Sequence, residues 1–317
     1  MKWKAWVAAS AIAATALPAI AQSNQVTRFV SGSTAGGGVD TISRILAESM
    51  GPMLNRTIIV DNKPGAGYTI ATDFVAKSKP DGNTVLITFN VHPAFGLLGS
   101  KLGFDPVKDF RAVGMIATTP YVIVANPNLP GSNLKEALAL AKTQGRPLNY
   151  GSIGMGTPQH LMIERLKTQT GVDIRMIHYK SVTVMTDVIS GIVDFSVLTP
   201  SSSAAQVKSG RLKALAVTSA QRLPELPDTP TVKEQGYEGF VSDGWYAMML
   251  PAGTPPDIVQ AYNKALNDTL NLPAVRERLS KLNATPAPGK PEALDRINRE
   301  DAQLWRKVIA DNKIVAE

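Results

Sequence analysis

The amino-acid sequence predicts an α/β fold made of two domains. Short runs of β-branched and aromatic residues alternate along the chain with segments of helical periodicity. This alternation favours mixed, mostly parallel sheets that are flanked by helices on both faces. The chain has 317 residues, which is enough for two domains of about 150 residues each.

The elements follow one another in a regular order. The predicted strands are residues 27–30, 57–61, 84–89, 121–125, 174–179, 193–199, 212–218 and 245–250. Apolar residues at helical spacing lie between several of them, and a further helix is predicted after Pro255-Pro256. The apolar faces of three such helices are Val39, Ile42, Leu46 and Met50; Leu134, Ala137, Leu138 and Ala141; and Ile258, Tyr262, Leu266 and Leu270.

Two loop-rich junctions indicate where the chain passes between the domains. They are residues 125–127 and 237–244. If the chain crosses at both junctions, the first lobe is discontinuous and comprises residues 22–125 plus 246–317. Residues 126–245 then form the second lobe.

The first residues have the pattern of a secretory signal peptide. Lys2 and Lys4 precede an uncharged apolar stretch, residues 5–20, and Ala19-Ile20-Ala21 has the small-x-small pattern of a cleavage site. The stretch is too short and too rich in alanine for a permanent membrane span, which needs roughly 20 strongly apolar residues. No cysteine at the junction offers a lipid anchor. We therefore expect residues 1–21 to be removed and a soluble protein to be exported.

The charge of the chain is mildly basic. The formal net charge is +7, and without the two leader lysines 31 basic side chains face 26 acidic ones, which leaves +5. Such an excess is compatible with binding small anions. There is no run of Lys and Arg and no basic stripe interleaved with aromatics, so a nucleic-acid partner is not indicated. The absence of cysteine excludes disulfides and thiol chemistry.

A glycine-rich stretch follows the first predicted strand. Residues 32–48 read GSTAGGGVDTISRILAE, in which three glycines stand directly before an amphipathic helix. A glycine turn that opens a helix offers free N–H groups and the positive end of the helix dipole to an anion. The candidate contacts are Ser33, Thr34, Gly36, Gly37 and Gly38. The alternative is a tight turn whose glycines only permit positive φ. The spacing matches neither common nucleotide motif.

A second stretch repeats this design in the other predicted lobe. Residues 149–161 read NYGSIGMGTPQHL, a short strand followed by a turn with Ser152, Gly154 and Gly156. Thr157 suits a helix N-cap and Pro158 suits the first helical position. Two such turns that face each other across a cleft are able to hold both ends of a small dianion without any catalyst.

Several motifs together resemble a known family. They are AGGGVDTISR, VDNKPGAG, DGNTVLIT, DPVKDF, YGSIGMGTPQHL, HYKS, PDTPTVKEQGY and W-x-x-x-x-x-P-A-G-T-P. In this order, over nearly the entire mature chain, they are similar to the tricarboxylate-binding receptors, also called Bug proteins. These are periplasmic solute-binding proteins, some of which serve tripartite tricarboxylate transporters.

The resemblance implies a fold and a ligand class. The expected fold is a two-lobed Venus flytrap that closes on a small carboxylate. The loop after the first strand, 33–38, is then the first grip, and Ser152, Gly154, Gly156 and Thr157 are the second. The implied partners are the carboxylate and the membrane permease subunits of a tripartite transporter, and we expect a monomer. A ligand-sensing domain that feeds a signalling partner is the alternative.

The sequence departs from the family pattern at two places. Ala35 stands where the family usually has proline, and the usual P-Y-K-G tetrad is replaced by residues 178–181, which read HYKS. Residues 182–185, Val-Thr-Val-Met, follow in place of a stretch of small residues. These changes are consistent with a larger or more apolar solute, such as the aromatic dicarboxylate terephthalate.

Further residues are candidates for ligand contact on weaker grounds. Asn90 and His92 follow a strand end, His178 ends a strand in the altered tetrad, and Ser201 follows another strand end. Asp187 matches a position that the family tends to keep acidic. Each of these residues has a structural role as its alternative. For His160 a local structural hydrogen bond is expected, and for Trp245 hinge packing and cleft lining are both open.

Nothing in the sequence points to catalysis. No Gly-x-Ser-x-Gly elbow, HExxH motif or cluster of carboxylates at ligand spacing occurs, so neither a hydrolase nor a metal site is indicated. A secreted carboxylic-ester hydrolase is the unfavoured alternative. We expect a binding protein without a cofactor or metal.

Overall fold

The computed structural model describes residues 26–97, 102–152, 157–179, 183–237, 240 and 243–314. The predicted leader, 1–21, lies outside the described residues. The strands are β1 (Val26–Ser31), β2 (Thr57–Asn62), β3 (Thr84–Phe89), β4 (Phe110–Thr119), β5 (Val122–Ala125), β6 (Leu148–Ser152), β7 (Ile174–His178), β8 (Phe195–Leu198), β9 (Lys213–Val217), β10 (Gly244–Pro251) and β11 (Thr285–Pro286).

Helices connect most of these strands. They are α1 (Gly38–Leu54), α2 (Thr69–Ala76), α3 (Leu134–Thr143), α4 (Pro158–Thr170), α5 (Val184–Ser190), α6 (Pro200–Lys208), α7 (Pro256–Leu270), α8 (Pro273–Ser280) and α9 (Pro291–Asp311). Two short 3₁₀ helices, Ala66–Tyr68 and His92–Ala94, follow β2 and β3. The predicted α/β class is confirmed.

The strands form two separate sheets, one in each lobe. Sheet 1 has the order β11-β4-β10-β3-β1-β2, and sheet 2 has the order β7-β6-β8-β5-β9. Both are mixed: β1 runs parallel to β2 and β3, and β6 runs parallel to β7 and β8. The antiparallel pairings centre on β10 and β5, the strands that lie next to the crossings between lobes. The sheets are therefore less parallel than the sequence predicts.

Apolar helix faces cover both sheets as the periodicity predicts. Val39, Ile42, Leu46 and Met50 of α1 are buried in the core of lobe 1. Leu134, Ala137, Leu138 and Ala141 of α3 are buried in the core of lobe 2. Because each lobe has its own core, each is able to move as a unit about the segments that join them.

The chain crosses between the lobes twice, and the first crossing differs from the sequence prediction. Strand β5 pairs with β8 and β9 in sheet 2, so the crossing lies between Thr119 and Val122 rather than after Ala125. The return lies between Val217 and Gly244, close to the predicted junction. The loop at 125–127 was misleading because it is a turn within lobe 2.

A hydrogen-bond network ties the two crossings together. The Tyr121 N–H donates to the Thr218 hydroxyl oxygen at 2.9 Å, and that hydroxyl donates to the Asp243 carboxylate at 3.1 Å. Gly244 packs against the same tyrosine, since a Cβ there would lie 2.7 Å from its hydroxyl oxygen. The hinge is thus a compact unit of residues that come from both crossings.

The lobes also meet away from the hinge. Leu161 of α4 is buried among Ala94, Trp305, Val308 and Ile309, of which the last three belong to α9 in lobe 1. The Thr168 hydroxyl lies 3.0 Å from Oδ1 of Asn312 at the other end of this contact. In the described conformation the C-terminal helix therefore bridges the two lobes.

Candidate functional site

A cleft of about 460 Å³ lies between the lobes. Lobe 1 contributes the aromatic side chains Tyr68, Phe89, Phe95 and Tyr246, among others. Lobe 2 contributes Thr157, Pro158, Gln159 and Thr199, and Tyr121 of the hinge also lines the cleft. A site of this size that is mostly apolar with a few polar groups is typical of small-molecule binding.

Helix N-termini surround this cleft. Thr157, the N-cap of α4, accepts a hydrogen bond from the His160 N–H at 3.3 Å. Thr199 is the N-cap of α6, and its hydroxyl lies 3.0 Å from that of Ser201. The start of α2 at Thr69 lines the cleft from lobe 1. Since helix N-termini carry a partial positive charge, the electrostatics of the cleft favour an anion.

No charged side chain lines the cleft within the described parts of the chain. The polar lining consists of hydroxyls and one amide. Burial raises the pKa of the Tyr68, Tyr121 and Tyr246 phenols, so they stay neutral donors at neutral pH. A bound anion would therefore be held by hydrogen bonds and helix dipoles rather than by a cation.

The first glycine turn is organised by its own side chains. The Ser33 hydroxyl accepts a hydrogen bond from the Asp40 N–H at 3.1 Å and donates to the Thr34 carbonyl at 3.1 Å. The Gly36 N–H donates to the Asp40 carboxylate at 2.8 Å, and Arg44 donates to the same carboxylate. Burial would raise the pKa of Asp40, but these bonds outweigh it and lower the pKa. The Ser33 hydroxyl and the Gly36 N–H are thus already hydrogen-bonded within the turn.

Other N–H groups of this turn remain available. No described residue accepts a hydrogen bond from the N–H of Thr34, Gly38 or Val39. Thr34 and Gly38 are exposed, and Gly37 is partly buried with its N–H bonded to the Thr34 carbonyl. A Cβ on Gly38 would lie 3.5 Å from the Tyr246 hydroxyl. The turn therefore meets the cleft at Tyr246 and does not line it directly.

The second glycine turn is only partly within the described residues. Gly154 and Gly156 lie outside them. Ser152 is fully buried at the end of β6 and hydrogen-bonds Tyr150, whereas Thr157 lines the cleft. Of the predicted second grip, Thr157 is the described member that faces a ligand site.

Asn90 and His92 lie inside lobe 1. Asn90 is 4% exposed, its N–H donates to the Trp245 carbonyl, and its side chain hydrogen-bonds the Tyr121 hydroxyl. His92 is fully buried, with Nε2 2.8 Å from the Pro106 carbonyl oxygen, and burial lowers its pKa to about 4. We leave both out of the proposed contact set.

The remaining candidates are His178, Asp187 and Ser201. His178 is exposed on β7, the edge strand of sheet 2, and does not line the cleft. Asp187 accepts a hydrogen bond from the Tyr179 hydroxyl at 2.7 Å and so fixes the side chain of Tyr179. Ser201 is exposed beside Thr199 at the start of α6. None of these three lines the cleft itself, and Ser201 stays in the proposed contact set only through its contact with Thr199, which does.

Sequence reasoning missed the aromatic wall of lobe 1. Gly65, Ala66, Gly67 and Tyr68 all have positive φ, with values of 125°, 43°, 59° and 75°. A bulky residue in this region is an outlier that costs about 1–3 kcal/mol and often marks a functional site. The PGAG sequence before Tyr68 was the available signal. Trp245 packs in the core of lobe 1, where its Nε1 donates to Asp301 of α9 at 2.9 Å.

Two further features bear on the site. None of the described helices is both long and apolar enough to cross a membrane. Across the described ranges, no three His, Asp or Glu side chains come together in a way that would hold a metal ion.

A family model matches most of the chain. Residues 42–314 match the model described as the tripartite tricarboxylate transporter family receptor. The match begins within α1 and ends at the last described residue, so it includes both lobes and both crossings.

Solved structures of similar proteins have the same architecture. The periplasmic binding protein BugD is 33% identical, covers 92% of this chain and 99% of its own, and superposes with a TM-score of 0.72. A Rhodopseudomonas palustris protein with adipate is 30% identical, with coverages of 91% and 97% and a TM-score of 0.74. MatC from the same organism, with bound malate, is 28% identical, with coverages of 90% and 99% and a TM-score of 0.72.

Proposed function

Because this chain belongs to the tripartite tricarboxylate transporter receptor family, we propose that it captures a small carboxylate in the cleft between its lobes. The family consists of solute-binding receptors, and the structural neighbours include a periplasmic binding protein. The observation that carries the proposal is the cleft itself, in which the N-termini of α4 and α6 meet a hydroxyl-bearing wall of lobe 1.

The ligand class follows from the electrostatics of the cleft. An anion gains from the helix N-termini and from neutral hydroxyl donors, whereas a cation would find no counter-charge in the described lining. MatC holds malate and the second Rhodopseudomonas palustris protein holds adipate, which supports a dicarboxylate here. The aromatic wall extends this class to aromatic diacids such as terephthalate.

Capture couples binding to closure of the lobes. A ligand that touches Thr157 and Thr199 on lobe 2 and Tyr246 on lobe 1 binds the closed form better than the open one. Such a ligand shifts the equilibrium between the two forms toward the closed form. Each hydrogen bond to a carboxylate contributes about 1.5–3 kcal/mol, and those made only in the closed form favour closure.

Export and delivery complete the proposed role. The leader at 1–21 directs the protein to the periplasm, where it works as a monomer. The closed form is then recognised by membrane permease subunits of a tripartite transporter. The family match supports this partner.

The proposal is tested by a thermal-shift screen of organic acids followed by calorimetric titration. A ligand that binds only the folded protein raises the melting temperature. We expect one or more dicarboxylates to do so, and we expect Thr157→Val to weaken their binding about tenfold. Thr143→Val, on the exposed end of α3, serves as the matched control. If no carboxylate binds, the proposed function is wrong.

A further inference from the structure

Two tyrosines stand together on the lobe 1 side of the cleft. Tyr246 lies directly opposite Phe89 across the antiparallel pairing of β10 with β3. The Tyr68 ring packs edge-on against the same Phe89, with ring centroids 4.7 Å apart at 69°. All three line the cleft, so the two phenols lie on the same side of it, next to Phe89.

Both phenol hydroxyls are available for a ligand. In the described structure, no residue forms a hydrogen bond with the hydroxyl of Tyr68 or Tyr246. Both side chains are only partly buried, so their hydroxyls reach the cleft. By contrast, the third phenol of the cleft, Tyr121, is already bonded by Asn90.

The Tyr68 phenol lies close enough to Tyr246 to affect its pKa. Burial raises the pKa of Tyr246, and the neighbouring Tyr68 phenol raises it further. Burial likewise raises the pKa of Tyr68. Both groups therefore remain protonated at neutral pH, and each keeps a proton to donate.

The backbone holds Tyr68 in place tightly. Its φ of 75° follows three residues that also have positive φ, and its N–H donates to the Gly65 carbonyl at 3.0 Å. Gly32 lies directly beneath it, because a Cβ there would approach Tyr68 Cδ1 to 2.5 Å. The positive φ of Tyr68 costs free energy, and contacts with Gly65 and Gly32 maintain it. This indicates that the side chain must occupy this position for function.

We propose that the hydroxyls of Tyr68 and Tyr246 together bind the second carboxylate of the ligand on lobe 1, while the N-termini of α4 and α6 bind the first. This inference rests on the proposed function and names the lobe 1 anchor that Ser33 does not supply. Ser33 is excluded because its hydroxyl already bonds the Thr34 carbonyl and the Asp40 N–H. The protein then discriminates diacids from monoacids through two neutral phenol donors.

The pair also defines the preferred ligand. Two donors set beside the Phe89 ring suit an oxyanion at the end of an apolar or aromatic body. A monoacid of the same length leaves the two phenols without an acceptor, and this loss penalises its binding.

The test compares each diacid with the monoacid in which one carboxylate becomes a methyl group. The pairs are adipate with hexanoate, terephthalate with 4-methylbenzoate, and malate with 3-hydroxybutyrate. Calorimetry is run on the wild type, on the double variant Tyr68→Phe with Tyr246→Phe, and on Tyr237→Phe. Tyr237 is a partly buried tyrosine of lobe 2 outside the cleft, so it controls for the loss of a hydroxyl alone.

We expect the wild type to bind at least one diacid tenfold or more tightly than its monoacid. In the double variant this preference falls below threefold, because diacid affinity drops and monoacid affinity stays within twofold. Tyr237→Phe keeps the wild-type preference. If the double variant retains the full preference for diacid over monoacid, the proposed role of the two phenols is wrong, while the proposed function stands. A wild type that binds no carboxylate, either among these six acids or in the organic-acid screen, overturns the proposed function as well.

Discussion

The Ser33 hydroxyl oxygen lies 3.1 Å from the backbone nitrogen of Asp40, whose carboxylate in turn accepts the Gly36 N–H at 2.8 Å. These two bonds join the glycine turn to the first turn of α1. The turn therefore keeps its shape without a ligand. The Ser33 hydroxyl is used within the turn, and the turn contacts the edge of the cleft only where Gly38 approaches Tyr246.

Replacing Ser33 is accordingly a test of folding stability. Ser33→Ala leaves the Asp40 N–H in the first turn of α1 without its side-chain acceptor, and the loss of such a bond typically costs about 0.5–2 kcal/mol. Thr34→Ala is the matched control, because that hydroxyl is exposed and forms no hydrogen bond with any described residue. Urea unfolding of both variants measures the difference. Equal stability of the two would show that this bond does not stabilise the protein.

Gly32→Ala tests the support beneath Tyr68. The added Cβ would lie 2.5–2.9 Å from three atoms of Tyr68, one of them in the backbone, so the tyrosine must shift. We expect a loss of about 1–3 kcal/mol in unfolding free energy and weaker diacid binding. Gly253→Ala is the control, since its Cβ would be 3.4 Å from Pro80, an ordinary contact. Melting and calorimetric titration report the two effects.

Leu161→Ala tests whether the contact between α4 and α9 stabilises the closed form. Leu161 is 1% exposed and packs on Trp305 and Ile309 across the lobe boundary. Truncation of a buried leucine costs about 2–5 kcal/mol. If that cost falls on the closed form, ligand affinity drops tenfold or more.

A control within lobe 2 isolates the closure effect. Leu166→Ala removes a leucine from the core of that lobe, so it lowers stability and leaves the equilibrium between open and closed forms in place. Small-angle scattering with ligand should show a larger radius of gyration for Leu161→Ala only. The same radius for both variants would argue against the bridging role.

Asp301→Asn probes a buried carboxyl on α9. Burial first, and Glu300 second, raise the Asp301 pKa from its ordinary 3.8 to about 6, against the hydrogen bond from Trp245. The folded state thus binds this proton more tightly than the unfolded state. The carboxyl therefore costs stability as the pH rises from 3.8 to about 6, and the full cost remains above that range.

The variant keeps an acceptor for Trp245 and removes the charge. We expect Asp301→Asn to be about 1–2 kcal/mol more stable than the wild type at pH 8, with the difference vanishing below pH 4. Denaturant unfolding of both proteins across this pH range measures the difference between their unfolding free energies. The contributions of the other titrating groups are the same in both proteins and cancel. A constant difference at all pH values would show that the charge of Asp301 is not the cause.

Much of the fold could be predicted because its signals are local. Strand β3 matches its predicted bounds, 84–89, since a β-branched run is bordered by Asn83 and Asn90. Strand β4 was missed because Arg111 and Gly114 interrupt its apolar pattern and its pairing with β10 is distant in sequence. The first crossing was misplaced because Asn126-Pro127 has the same turn composition as a linker.

The site was harder to predict because tertiary packing decides which side chains face the cleft and which face the protein interior. A serine beside glycines has the same sequence pattern whether its hydroxyl faces a ligand or caps a helix, and here the Asp40 N–H takes it. His92 follows a strand end like a cleft residue, yet its ring turns inward between Phe95 and Phe110. Tyr68 and Tyr246 come together only in the folded chain, so no single motif contains both.

A crystal structure of the protein with a bound diacid tests the central claim most directly. The account predicts closed lobes with one carboxylate at the N-termini of α4 and α6, near Thr157 and Thr199, and the other within hydrogen-bond distance of Tyr68 and Tyr246. A diacid bound outside this cleft, for example in the neighbouring groove between Phe95 and Arg306, would contradict it.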